Sequence, residues 1–263
     1  MREKVKFLLS QNPRIYDRIL RLKHRKEYDN ERIVFLNAIR QGDVVFDVGA
    51  NRGIHTVLLS HLAGASGSVH AFEPVPTTFE LLGNNLAAKK RFDNVRLNNC
   101  ALGDKAGMIT IHMPDGDDGQ ASIAKHNSGS WKDAKTIKTF ECSVTTMDAY
   151  VATLAKPPDF IKCDVEGAEL LALRGGRDTL GRHAPMLFLE VCKEWTRNFG
   201  YAPLDVLNYV RPFGYDLFYL VDDDGIRRID KPDESLLEKN LVGSVDVLCA
   251  STKLHRVRLL DLR

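Results

Sequence analysis

The sequence predicts an α/β domain whose core is a mostly parallel sheet with helices on both faces. Three observations carry that prediction. Short apolar runs recur along the chain, and they are continuous rather than alternating, as strands buried on both faces are. Stretches with helical spacing separate them. The first run, Val44–Val48, ends in a glycine-rich turn that leads straight into such a stretch.

The elements follow in order. Residues 1–40 carry helical periodicity, with one apolar stripe through Ile15, Ile19 and Leu22 and another through Ile33, Leu36 and Ile39. They read as a helical N-terminal appendage, and residues 41–263 as the main domain. After the strand at 44–48 comes a helix through Thr56, Leu59 and Leu62, a strand at 68–72, a helix at 77–89 and a strand at 95–101. Further on lie a strand at 159–163, a helix at 168–173, a strand at 186–191, a helix at 204–210, and strands at 215–221 and 245–250. Asp222-Asp223-Asp224-Gly225 reads as a hairpin turn and lacks the ligand spacing of an EF-hand. The alternation breaks over about 104–146, where strands at 108–113 and 140–145 flank a polar stretch. A loop this long inside an α/β domain is usually functional, and Gly116, Gly119 and Gly129 would let 114–137 act as a substrate lid.

Composition narrows the class. Of 263 residues, 44% are apolar and 27% charged, which fits neither a disordered nor a membrane-embedded chain. No apolar run approaches the roughly 18 residues of a membrane-spanning helix. Only Phe7 to Leu9 could form the apolar core of a secretory signal, and that is too short. The five cysteines include no C-x-x-C and sit in or beside strand-like runs. They read as buried free thiols in a reducing cytoplasm, the expected location. The net charge of +2 is uneven: residues 1–40 hold +6, residues 253–263 hold +3, and the middle holds −7.

The sharpest motif is Asp47-Val-Gly-Ala-Asn-Arg-Gly53, between a strand and a helix. Gly49 and Gly53 permit backbone to approach a ligand, and the helix N-terminus beyond offers unpaired N–H groups. A dinucleotide fingerprint would need glycine at 51 and 54, where Asn51 and Ile54 stand, so a pyrophosphate site is disfavoured. Glu73, in Phe72-Glu73-Pro74, ends the next strand 20 residues past Gly53, where a carboxylate reaches ribose hydroxyls. Pro74 stiffens that turn. A glycine loop without pyrophosphate chemistry, joined to a ribose carboxylate, suggests a nucleoside lacking phosphates, and S-adenosylmethionine fits. Asp164 and Glu166, at the C-terminal end of the 159–163 strand, flank the same crevice, and Glu190 ends the strand after it. Glu169 reads as an acid in the first helical turn, stabilised by the helix dipole.

These residues resemble the FkbM-type family of S-adenosylmethionine-dependent methyltransferases. The likeness rests on the 47–53 loop, Phe72-Glu73-Pro74, Asn99-Cys-Ala-Leu-Gly-Asp104, Thr146-Met-Asp148 and Lys162-Cys-Asp-Val-Glu-Gly-Ala-Glu169, which span about residues 43–192. Lys162-Cys163 and His55 depart mildly from the family pattern. The resemblance implies the class I methyltransferase sheet, Rossmann-like, with seven mostly parallel strands and the last antiparallel. It implies methylation of a hydroxyl oxygen on a small-molecule or saccharide acceptor. It also implies that Gly49, Asn51 and Gly53, within the loop opened by Asp47, line the methionine end of the cofactor. Glu73 would then bind ribose beside Pro74, Ala101 and Leu102 would contact adenine, and Asp164 would face the cofactor amino group or the acceptor.

An alcohol must lose its proton as the new bond forms, and His55, Asp164, Glu166 and Glu190 are the candidate bases. Asp164 and Glu166 alternate along the chain, so at most one would face the crevice if the strand persisted. The sequence carries no dedicated metal motif, although the clustered acids could instead hold Mg2+ against a vicinal diol. Trp131, Lys193 and Trp195 are placed to meet an acceptor. An RNA methyltransferase is the first alternative, given the basic N-terminus. Base-directed enzymes often carry Asn/Asp-Pro-Pro-aromatic where this chain reads Asp164-Val-Glu-Gly, which argues against nucleic acid. A non-catalytic S-adenosylmethionine-binding protein is the other alternative. The basic head lies outside the resemblance, and its apolar stripes favour a packed appendage over a nucleic-acid arm.

Overall fold

The computed structural model describes residues 25–87, 92–127, 129–237, 244–255 and 258–259, with side chains from residue 30 onward. The stripe through Ile15, Ile19 and Leu22 lies outside the described residues.

Continuous apolar runs do form the central strands: β1 (Val44–Val48), β2 (Ser68–Phe72), β3 (Val95–Asn98), β7 (Phe160–Cys163), β8 (Met186–Val191), β9 (Leu217–Asp222) and β11 (Val245–Ala250). With β10 (Gly225–Ile229) they make an eight-stranded sheet in the order β10-β9-β11-β8-β7-β1-β2-β3. Strands β1, β2, β3, β7 and β8 pair in parallel, and β11 runs antiparallel to both β8 and β9. The eighth strand is the far arm of the hairpin turned at 222–225, laid antiparallel on β9. The remaining strands, β4 (Ala101–Leu102), β5 (Gly107–Pro114) and β6 (Ile137–Thr145), form a separate three-stranded sheet from the inserted segment.

Helices cover both faces, among them α1 (Arg25–Ala38), α2 (Ile54–Ala63), α3 (Pro76–Ala87), α4 (Met147–Val151), α5 (Glu169–Arg174), α6 (Arg177–His183) and α7 (Pro203–Val210). The period of two along β1 decides which residue faces which layer. Phe46 and Val48 pack with Phe72, Ile161, Leu187 and Leu220 on one side. Val45 packs with Phe35, Leu59, Phe160 and Phe188 on the other. Helix α1 belongs to that second layer. Phe35 is fully buried, meeting Phe160 edge-on with ring centroids 5.8 Å apart and Phe188 at 4.8 Å. No helix among the described residues is long and apolar enough to cross a membrane.

The strand expected at 95–101 divides in two. The Asn99 side chain donates to the carbonyls of Glu73 (2.8 Å) and Pro74 (3.1 Å), which turns the chain out of the large sheet. Ala101 and Leu102 then pair with Val144 and Thr145 of β6. The second sheet is thereby anchored beside the C-terminal ends of β1 and β2.

Candidate functional site

The C-terminal ends of β1, β2, β7 and β8 open onto a cavity of about 420 Å³. The loop after β1 forms its floor. Gly49 has φ 82°, Asn51 φ 48° and Gly53 φ 85°, so three left-handed residues fold the chain tightly before α2. At Gly49 the reason for glycine is direct: a Cβ would lie 1.8 Å from the Asp164 carbonyl oxygen. The loop is pinned to β2, with the Gly49 and Ala50 amides both donating to the Phe72 carbonyl (3.1 and 2.9 Å).

Glu73 stands at one end. Its carboxylate accepts from the Asn51 amide (3.0 Å) and the Val75 amide (2.9 Å) and is only 6% exposed. Burial pushes its carboxyl up to about 7, and the two backbone bonds offset this only in part. A desolvated carboxylate with lone pairs left over is suited to a pair of hydroxyl donors. Pro74, Ala101 and Leu102 line the same end, with Ile109, Ile111 and Ile123 of the inserted segment forming an apolar wall. This combination fits a nucleoside: a diol partner beside a flat apolar slot.

The other end is acidic. Asp164, Glu166, Glu190 and His55 all line it. The expectation that only one of Asp164 and Glu166 faces the cavity is corrected. Strand β7 stops at Cys163, and Glu166 takes φ 55°, which turns its side chain to the same side as Asp164. That turn is held by the Ser122 hydroxyl donating to the Glu166 carbonyl (2.9 Å). Glu169 braces it from behind, its carboxylate accepting from the amides of Val165 (3.2 Å) and Gly167 (3.1 Å). The Tyr201 hydroxyl donates to the Gly167 carbonyl.

Lys162 sets the charge of this end. It is 3% exposed, and its ammonium lies 2.9 Å from Asp164 and 3.9 Å from Asp47. Burial alone would raise the Asp164 carboxyl, but the Lys162 ammonium and a hydrogen bond from Glu190 hold it at about 2. Burial and repulsion from Asp164 push Glu190 well above the carboxylate range, and its proton bridges to Asp164. Burial, then the Glu190 and Asp164 charges, raise Glu166 likewise. Its Oε2 has no hydrogen-bond partner among the described residues. Oxygens of Asp164, Glu166 and Glu190 lie within 4.8 Å of one another, close enough to ligate a cation, although the Lys162 ammonium already neutralises Asp164.

Several expected residues fall elsewhere. Asp47 and Gly53 do not line the cavity. Asp47 is buried beneath the loop and accepts from the Thr56 hydroxyl (2.6 Å), and Gly53 is the N-cap of α2. Trp131, Lys193 and Trp195 are not in the wall either. Trp131 is buried edge-on against His126, and Trp195 lies tilted over the other side of that imidazole, so the two indoles pack a histidine instead of an acceptor. The 114–137 stretch does border the cavity, but through Asp118–Gln120. Arg52 donates to the Asp118 carboxylate (2.6 Å), and the Asn51 side chain donates to its carbonyl (3.1 Å).

Three wall residues carry no sequence signal of their own: Arg52, Asp118 and Glu31. Glu31 comes from α1, and its carboxylate lies 2.8 Å from His55 Nε2. Only the apolar stripe of α1, which foretells that the helix packs, hinted at it.

Residues 47–217 match the model of the methyltransferase FkbM domain. The chain is 47% identical over 70 residues to the 31-O-demethyl-FK506 methyltransferase FkbM of Streptomyces tacrolimicus, covering 27% of this chain and 26% of that one. It is 32% identical over 158 residues to the hexuronic acid methyltransferase AglP of Haloferax volcanii, covering 59% of each. The chain thus spans about a quarter and about three-fifths of these two relatives. The crystal structure of a methyltransferase FkbM from Methylobacillus flagellatus superposes with a TM-score of 0.49 at 21% identity, over 79% of this chain and 43% of that one.

Proposed function

The chain belongs to the methyltransferase FkbM family, and from that premise we propose that it is an S-adenosylmethionine-dependent O-methyltransferase acting on a hydroxyl of a sugar or other small molecule. The observation that supports this best is one cavity with a diol-binding carboxylate at one end and titratable side chains at the other, joined by the Gly49 loop. The two relatives named above as methyltransferases of an oxygen-bearing natural product and of a hexuronic acid point the same way.

When bound, S-adenosylmethionine supplies an electrophilic methyl group on a sulfonium. The protein holds and orients. Glu73 would take the ribose hydroxyls, Pro74, Ala101 and Leu102 the adenine, and Asn51 and the Gly49 backbone the methionine end. Asp164, kept ionised by Lys162, would pair with the cofactor ammonium and is too weak a base for an alcohol. Asp47 and Gly53 act indirectly, by shaping the loop. Holding an acceptor oxygen in line with the methyl group can contribute roughly 7–11 kcal/mol.

Glu166 is the proposed general base. Its Oε2 is unengaged, it faces the cavity, and its raised carboxyl holds a proton more firmly than Asp164 does. Such help is worth about 10²–10⁴-fold. His55, oriented by Glu31, lines the acceptor space beside it. The test is a screen of hydroxylated acceptors with methyl-labelled S-adenosylmethionine. Label on a hydroxyl oxygen of a small molecule is expected. Label on RNA, with none on small molecules, would overturn the proposal.

A further inference from the structure

The cavity wall is unbalanced in charge. It carries six carboxylates, from Glu31, Glu73, Asp118, Asp164, Glu166 and Glu190, and one guanidinium, Arg52. Arg52 is engaged by Asp118 at 2.6 Å, and Glu73 lies at the nucleoside end. Asp164 has its own counter-ion in Lys162. Glu31, Glu166 and Glu190 therefore set the charge of the acceptor end, together with His55 on Glu31. An acceptor bearing a carboxylate would bring a like charge against Asp164 in a partly desolvated space, where repulsion is felt most. An acceptor bearing an ammonium would meet carboxylates that lose their protons to pair with it. Glu31 also lies on α1, before the stretch that matches the family model, so this part of the wall is supplied by the chain's own N-terminal helix.

We infer that the acceptor end selects a hydroxylated compound carrying an amine, such as an amino sugar, and rejects uronates, with Glu31 and Glu190 as specificity-determining residues. The inference rests on the O-methyltransferase reading above and adds the charge class of its acceptor. The same carboxylates could attract a divalent metal, so the cation may have two sources that an experiment must separate.

Calorimetry on the full chain saturated with S-adenosylhomocysteine tests this with three probes: methyl glucoside, its 2-amino-2-deoxy analogue and methyl glucuronide. The amino probe is expected to bind at least tenfold more tightly than the glucoside, the glucuronide more weakly than either, and EDTA to change nothing. Glu31→Gln and Glu190→Gln, each verified as folded by its melting temperature, are expected to cut the amine preference at least threefold. Glutamine keeps the hydrogen-bonding shape at both positions, so the loss reports charge. Equal binding of amine and glucoside, including no binding of either, overturns the inference, as does preference for the glucuronide or an amine preference that EDTA abolishes. Failure of the underlying reading shows separately, as absent binding of S-adenosylhomocysteine before any probe is added.

Discussion

Lowering the pH from 8 to 5.5 is expected to weaken binding of S-adenosylhomocysteine about thirtyfold, through one side chain. Burial pushes the Glu73 carboxyl up to about 7, and the amides of Asn51 and Val75 recover only part of that cost. A ribose diol donates to an ionised carboxylate, so below pH 7 the free protein must first release a proton, at a cost of about tenfold per pH unit. At pH 8 the group is already ionised, and at 5.5 the cost amounts to the stated thirtyfold. Glu73→Ala removes two charge-assisted hydrogen bonds at about 1.5 kcal/mol each, so affinity at pH 8 falls about a hundredfold. The same variant flattens the pH dependence. Titration calorimetry at five pH values on both proteins measures each effect. A wild-type affinity independent of pH, or a variant that binds like wild type at pH 8, would refute the placement of ribose on Glu73.

Three further outcomes follow from the same geometry. Gly49→Ala forces a side chain into a left-handed position and a Cβ against the Asp164 carbonyl, so it should lose more than the roughly 1–2 kcal/mol of backbone strain alone, read by urea unfolding. Lys162→Met strands Asp164 and Asp47 without their counter-ion and is expected to destabilise by about 3–5 kcal/mol, seen as a fall in melting temperature. Stability should also decline as pH rises from 6.5 to 8. Burial raises the carboxyls of Glu73 and Glu169 to about 7 and those of Glu166 and Glu190 well above their ordinary range, so their contribution is present at low pH and is lost as pH climbs. His70, His126 and His255, pushed down to about 4 by burial, work in the opposite sense, but only below about pH 6.5. A melting temperature that rises between pH 6.5 and 8 would contradict this.

The parts of the site legible in the sequence are those whose chemistry is local. Gly49 needs its positive φ because of the turn it occupies, and Glu73 ends a strand whose neighbour carries that turn, so motif and spacing suffice. The acids at 164 and 166 were visible as residues but not as a pair, because a single left-handed residue at Glu166 breaks the period that sorts side chains between faces. Glu31 and Asp118 reach the cavity from segments 24 and 63 residues away from their partners His55 and Asn51–Arg52, and only tertiary packing brings them there. Trp131 and Trp195 show the reverse error. Large aromatics in polar stretches look available for a ligand, yet here they enclose His126. The split of the third strand was hidden for a similar reason. Val95 to Leu102 is uniformly strand-like, and the side chain that ends it, Asn99, acts on carbonyls 25 and 26 residues away.

A crystal structure of the S-adenosylhomocysteine complex tests the central claim most directly. The account predicts both ribose hydroxyls within about 3 Å of the Glu73 carboxylate, adenine beside Leu102, and the sulfur facing Asp164 and Glu166 across the Gly49 loop. A ligand bound elsewhere, or in this cavity with its ribose turned away from Glu73, would contradict it.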